Sequence, residues 1–166
     1  MPEPNEEVWR ASRNVYKEEW TFPRCVASID GKYVRIEALQ LGGSKFLNYK
    51  KYHCIVLLAS VDGNKRFPAV DVGQYERVSD GNVFPNSVIG KRLAETNIGL
   101  PPDENLNEVS MPYVIVGDEA FPLKRYLMRP FPKTGRRLSG AERIFNYRPS
   151  RSKNTVENAF AILANA

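Results

Sequence analysis

The run Tyr113-Val114-Ile115-Val116, followed by Gly117-Asp118-Glu119, constrains this chain more than any other stretch. Four apolar residues, three of them β-branched, continue without a polar break. Such a run is the mark of a central strand covered on both faces. Two carboxylates follow one glycine later, so they fall at the rim where the strand leaves its sheet. In open α/β sheets that rim is where ligands bind. Asp118 then has two readings of equal weight. It is a metal-binding or acid–base carboxylate, or it caps the next turn while Glu119 stays solvated.

The chain is 166 residues long, enough for one domain with a sizeable core. No apolar run approaches the roughly 20 residues that span a bilayer, and no signal-peptide pattern opens it, so no membrane partner is expected. Cys25 and Cys54 stand apart in apolar contexts without CxxC spacing, which predicts reduced, packed thiols and an intracellular protein. With His53 as its single histidine, the chain is poorly equipped for a zinc site or a Ser–His triad, so any metal would be held by oxygen.

Charge is unevenly spread. Lys124, Arg125, Arg129, Lys133, Arg136, Arg137, Arg143, Arg148, Arg151 and Lys153 face one acid, Glu142, across residues 124–153. That segment carries +9, which leaves −4 for the remainder of a chain whose formal total is +5. An excess of this size suits a polyanion such as DNA, and these ten residues are the expected phosphate contacts; a basic loop that only aids solubility is the plainer reading. No helix-turn-helix or zinc-finger module precedes the rest, so sequence-specific reading has no evident home here.

Residues 1–24 predict an amphipathic helical lead-in, with Val8, Trp9, Val15, Tyr16 and Trp20 among charges and Thr21-Phe22-Pro23 ending it. Residues 25–36 predict a strand that carries Asp30 among apolar neighbours, where an acid is costly unless a cation meets it. A basic excursion over residues 42–51 follows. Residues 53–61 predict a second strand, Asp62-Gly63-Asn64 a hairpin turn, and residues 66–73 its return. A helix-like stretch with Phe84, Val88, Ile89 and Leu93 follows Asp80, its expected N-cap. Residues 97–112 read as a connection without period, and residues 123–128 as a short helical turn. A basic loop runs through Gly140. Thr155, Val156, Ala159, Phe160, Ile162 and Leu163 then set the stripe of a last helix, with Pro149 marking a break or first turn. Glu157 lies beside that stripe, on a face shared with Lys153, Asn154 and Ala161.

This order predicts an α/β fold with an RNase H-like mixed central sheet flanked by helices. In that architecture the Asp30 and Asp118 strands are adjacent and the last helix presents Glu157 across them. Three carboxylates so placed repel one another unless divalent cations sit between them. Asp62, Asp71, Asp80 and Glu119 are competing acids, each with a duller role as turn, strand, cap or solvated side chain.

The same residues carry a family resemblance. Ile29-Asp30-Gly31, residues 48–62, Val72-Gly73, residues 79–84, residues 117–123, Met128-Arg129-Pro130, residues 145–148 and Val156-Glu157-Asn158-Ala159-Phe160 occur in that order. Together, across residues 20–163, they resemble the DDE nuclease domain of PIF/Harbinger transposases and transposase-derived nucleases. The resemblance implies a DDE nuclease domain over residues 25–166 and Asp30, Asp118 and Glu157 as catalytic, metal-binding triad. It implies Mg²⁺ or Mn²⁺, and DNA cleavage with strand transfer. It also implies a nuclear as well as cytoplasmic setting and a Myb/SANT-like DNA-binding partner. A homo-oligomer is a separate expectation, which the resemblance does not supply. Tyr33 stands where the family usually has His, Ala161 where it has Gly, and Pro149 where it has an apolar helix former. Family members continue with helical sequence beyond the position of Ala166, so a C-terminally truncated domain is expected. The rival reading is a domesticated, non-catalytic protein that keeps the fold to bind DNA or chromatin.

Overall fold

The computed structural model describes residues 4–35, 54–74, 84–95 and 98–165. Helix α1 (Glu6–Trp20) leads into β1 (Cys25–Arg35), β2 (Cys54–Asp62), β3 (Ala69–Gln74) and α2 (Val88–Ala94). Short strands β4 (Glu104–Leu106), β5 (Val109–Met111), β6 (Val114–Val116) and β7 (Leu127–Met128) follow, and α3 (Gly140–Ala164) closes the described chain. The basic excursion at 42–51, His53 and Asp80 lie outside the described residues.

Five strands form one sheet in the order β3-β2-β1-β6-β7. The β1–β2 and β2–β3 pairs are antiparallel, whereas β6 lies parallel to β1 and β7 parallel to β6. This is the mixed sheet, flanked by helices, of an RNase H-like fold. Val114, Ile115 and Val116 are all buried, as a strand covered on both faces requires.

Strand alternation sends neighbouring side chains to opposite layers. On one side Leu58 packs with Ile29, Ile115, Trp9, Phe84 and Leu93. On the other, Leu57, Ala59 and Val61 meet Val156, Ala159 and Phe160 of α3. Cys25 and Cys54 are free and buried, and burial pushes the Cys25 thiol well up.

Local chemistry sets the helix ends. Asn5 Oδ1 accepts from the Val8 amide at 3.0 Å and opens α1, with Glu6 and Glu7 in the positive first turn. Ser87 caps α2, its Oγ accepting from the Gly90 amide. Asp71 adds a bond from the Val88 amide at 2.6 Å.

Three expectations are corrected. The stretch before β6 is a hairpin, β4–β5, turned by Asn107 and Glu108 with φ of 50° and 66°. Two successive positive φ values are those of the turn that matches strand twist. Residues 123–128 form no helix: Lys124 bridges Leu127 and the chain enters β7. The last helix starts at Gly140, because Ser139 and Glu142 form a reciprocal capping box there, and it runs through Pro149.

Tyr16, Ser28 and Ser152 are fully buried and tie three elements together. The one proton of the Tyr16 hydroxyl is shared between Ser28 Oγ at 3.0 Å and the Val61 carbonyl at 3.1 Å, and Ser28 Oγ donates to the Ser152 carbonyl at 2.9 Å. Burial pushes the Tyr16 phenol up, so it stays protonated as a donor.

The β4–β5 hairpin is held by charge. Glu104 accepts from Arg24 at 2.7 Å and pairs with Arg10, while the Arg24 guanidinium lies over the Tyr113 ring. Hydrogen bonds from Arg24, then Arg10, lower the Glu104 carboxyl from 4.5 to about 2. A lowered folded value stabilises above the unfolded one and is lost as pH falls through the folded one. Acid should therefore loosen the hairpin between pH 4.5 and about 2. Amide exchange of β4 and β5 should accelerate there, and Glu104→Gln should show that faster exchange already at neutral pH.

Candidate metal and nucleic-acid site

The site is built from the pairing of β1 with β6. Ser28 lies beside Val116 in parallel register. Two residues on, and so on the same face by alternation, come Asp30 and Asp118 at the level where β6 ends. That face is covered by α3, since Ser28 donates to Ser152 of the helix. Lys153 is the next residue of α3. Its Nζ lies 3.7 Å from Asp30 Oδ1 and 3.6 Å from Asp118 Oδ2. One ammonium thus bridges both carboxylates, with Lys153 and Asp30 largely shielded and Asp118 more open.

Of its two expected readings, Asp118 shows the capping one. Oδ1 accepts from the Ala120 amide at 2.8 Å and caps the turn, leaving Oδ2 to face Lys153. Gly117 makes the turn possible. A Cβ there would stand 2.7 Å from the ring of Phe121, which is wholly buried under the strand end. Arg129 adds a clamp, donating to the Glu119 carbonyl at 3.0 Å and the Phe121 carbonyl at 3.2 Å.

Glu157 is placed differently. It stands exposed on α3, one turn beyond Lys153. Among the described residues no group of three His, Cys, Asp or Glu comes close enough to hold a metal. The expected repulsion between Asp30 and Asp118 is instead met by a cation from the chain itself. Charge alone groups Lys153 with the phosphate contacts; the signal for its other role is the helical face it shares with Glu157. Of the competing acids, Asp62 is buried and accepts from the amides of Asn64 and Arg66, which is turn chemistry. Asp71 serves α2, Glu119 is exposed, and Asp80 lies outside the described residues.

Asp30 and Asp118 fit a hard divalent cation in donor chemistry: two oxygen-only ligands already converge on one positive charge. Comparison with known proteins meets this geometry from the sequence side. Residues 29–165 match the DDE superfamily endonuclease family. The chain belongs to that family. It is also similar to "Protein ALP1-like" of Arabidopsis thaliana, with 29% identity over 150 residues. That alignment covers 86% of this chain and 35% of the relative, so the chain spans about a third of the relative's length. No solved structure matches. DDE endonucleases typically work with divalent metal ions.

The ten bases of this DDE domain do not form one set. Arg125 pairs with Asp103, and Arg136 grips Glu142 with both terminal guanidinium nitrogens. Arg129 clamps the loop after β6, and Lys153 holds the two aspartates. Arg151 lies 5.5 Å over the rings of Trp20 and Tyr147. Lys124, Lys133, Arg137 and Arg143 are exposed, and Arg148 is half-buried on α3.

Gly117→Ala tests whether the turn sets Asp118. Forcing a methyl against the Phe121 ring should cost about 1–3 kcal/mol, as overpacking does. The urea midpoint should fall, and the amide resonances of Asp118 and Ala120 should shift with it.

Proposed function

We propose that this chain is the catalytic domain of a metal-dependent DNA nuclease of the transposase type, which cleaves phosphodiesters and transfers strands. The observation that carries the reading is the convergence of Asp30 and Asp118 from adjacent parallel strands onto one positive charge. Asp30 and Asp118 are the residues that would hold Mg²⁺ or Mn²⁺, with Glu157 as the third acid that the family motif supplies. When bound, such ions lower the pKa of a water and stabilise the leaving oxygen of a phosphodiester. The chain's own contribution is positional. The Ala120 amide fixes one oxygen of Asp118 and leaves the other facing the site. Ser28 and Ser152 keep β1 and α3 in register around it.

Lys124, Lys133, Arg137, Arg143 and Arg148 are the bases of this reading best placed to hold the DNA backbone. Phosphate contacts give affinity and salt dependence without sequence choice. The same reading includes a nuclear setting, a Myb/SANT-like partner that supplies sequence reading, and self-association. Its rival, a non-catalytic DNA- or chromatin-binding descendant, draws on the exposed position of Glu157 and on Tyr33, which is half-exposed at 49%.

Nicking of supercoiled plasmid in Mn²⁺ separates the two. Asp30→Asn and Asp118→Asn should each lower the rate roughly 10²-fold or more, the scale for losing a group that stabilises transition-state charge. A wild-type chain that binds DNA and never nicks it, with or without metal, would establish the rival.

Binding itself is read from salt titrations. Arg143→Ala should weaken binding to every duplex alike and reduce the slope of log affinity against log salt by about one. Arg136→Ala, which removes a base already committed to Glu142, should change that slope much less.

A further inference from the structure

We infer that Lys153 is an internal placeholder for the metal: its ammonium holds Asp30 and Asp118 together in the metal-free chain, leaves when a divalent cation enters, and is then available to a phosphodiester oxygen. The inference rests on the reading of Asp30 and Asp118 as metal-holding acids. It goes beyond that reading in assigning Lys153 a positioning role that couples metal loading to DNA engagement.

Three observations support it. The ammonium lies between two carboxylates from different strands, at nearly equal distance from each. Its backbone is fixed there, because the preceding carbonyl, that of Ser152, accepts from buried Ser28. Its side chain has room to leave, since Lys is a long flexible stem and Asp118 opens the site to solvent. The contacts at 3.6–3.7 Å are those of an ion pair rather than tight hydrogen bonds. A divalent cation that draws both carboxylates repels the ammonium, and a DNA phosphate beside the metal offers it a new partner. Metal and DNA then favour each other's binding, and by linkage the coupling is reciprocal.

Mn²⁺ affinity, measured as free ion by electron paramagnetic resonance, tests this without activity. Lys153→Met keeps the stem and removes the charge. It should bind Mn²⁺ about tenfold tighter than wild type without DNA, the scale of one opposite charge beside a carboxylate. Lys153→Arg should restore the weak wild-type affinity, and a short duplex should raise Mn²⁺ affinity less in Lys153→Met than in wild type. Unchanged affinity in Lys153→Met overturns the placeholder, and an unchanged gain from the duplex overturns the hand-over to phosphate. Should Lys153→Met unfold, the wild-type chain still decides. Its Lys153 ¹³Cε resonance should move on adding Mg²⁺, and a resonance that stays still overturns the inference. Asp118→Asn separates the two levels. If it abolishes Mn²⁺ binding while Lys153→Met has no effect, the nuclease reading stands and the placeholder falls. If neither matters, both fall.

Discussion

Three buried polar groups, Tyr16, Ser28 and the carbonyl of Ser152, join α1, β1 and α3 at one point of the core. Buried hydroxyls are costly unless they are paired, so each of them admits few alternative packings. A slip of α3 along the sheet would leave Ser28 without its acceptor and would carry Lys153 away from the aspartates. The hydrogen bonds therefore do more than stabilise. They fix the register of a helix whose apolar stripe, Val156, Ala159 and Phe160, could slide against Leu57, Ala59 and Val61 at smaller cost. Site geometry depends on this polar pin because hydrophobic contact is not directional.

Much of the framework is legible in the residues. The Val114 run becomes the buried strand β6, and Asp62 makes its hairpin turn with Asn64 and Arg66. Both signals are local and are written in residue types that serve one purpose. The adjacency of β1 and β6 is less local. It follows from the RNase H-like architecture that the element order predicts, in which these two strands are neighbours, and β6 does pair with β1 in parallel. That step places Asp118 beside Asp30 before any contact is known.

What the residues hid has physical reasons too. Asn107 and Glu108 make a two-residue turn, but Glu is a poor advertisement for a positive φ, and the flanking strands are three residues each. The salt links of Glu104 to Arg24 and Arg10 hold that hairpin, and sequence spacing of 80 residues or more conceals them. Pro149 argues for a helix break, because an interior proline costs about 3 kcal/mol. The helix continues because its two ends are independently secured, by the Ser139–Glu142 box before the proline and by packing of Val156 and Phe160 after it. Pro149 is itself buried, so its ring offsets part of the lost hydrogen bond with apolar contact.

The basic segment shows why charge counts need geometry. A +9 stretch reads from sequence as one polyanion-binding surface. In the fold, Arg136 and Arg125 are occupied by acids, Arg129 holds backbone carbonyls, and Lys153 bridges the two aspartates. Others, such as Lys133 and Arg143, face solvent. The division is economical in space because the helix that presents Arg143 to solvent also holds Lys153 against the aspartates, less than three turns later. On the proposed reading, a single helix thereby links solvent-facing bases that would meet a phosphodiester backbone with the carboxylates that would hold a metal. Any force that rotates or shifts it acts on both at once.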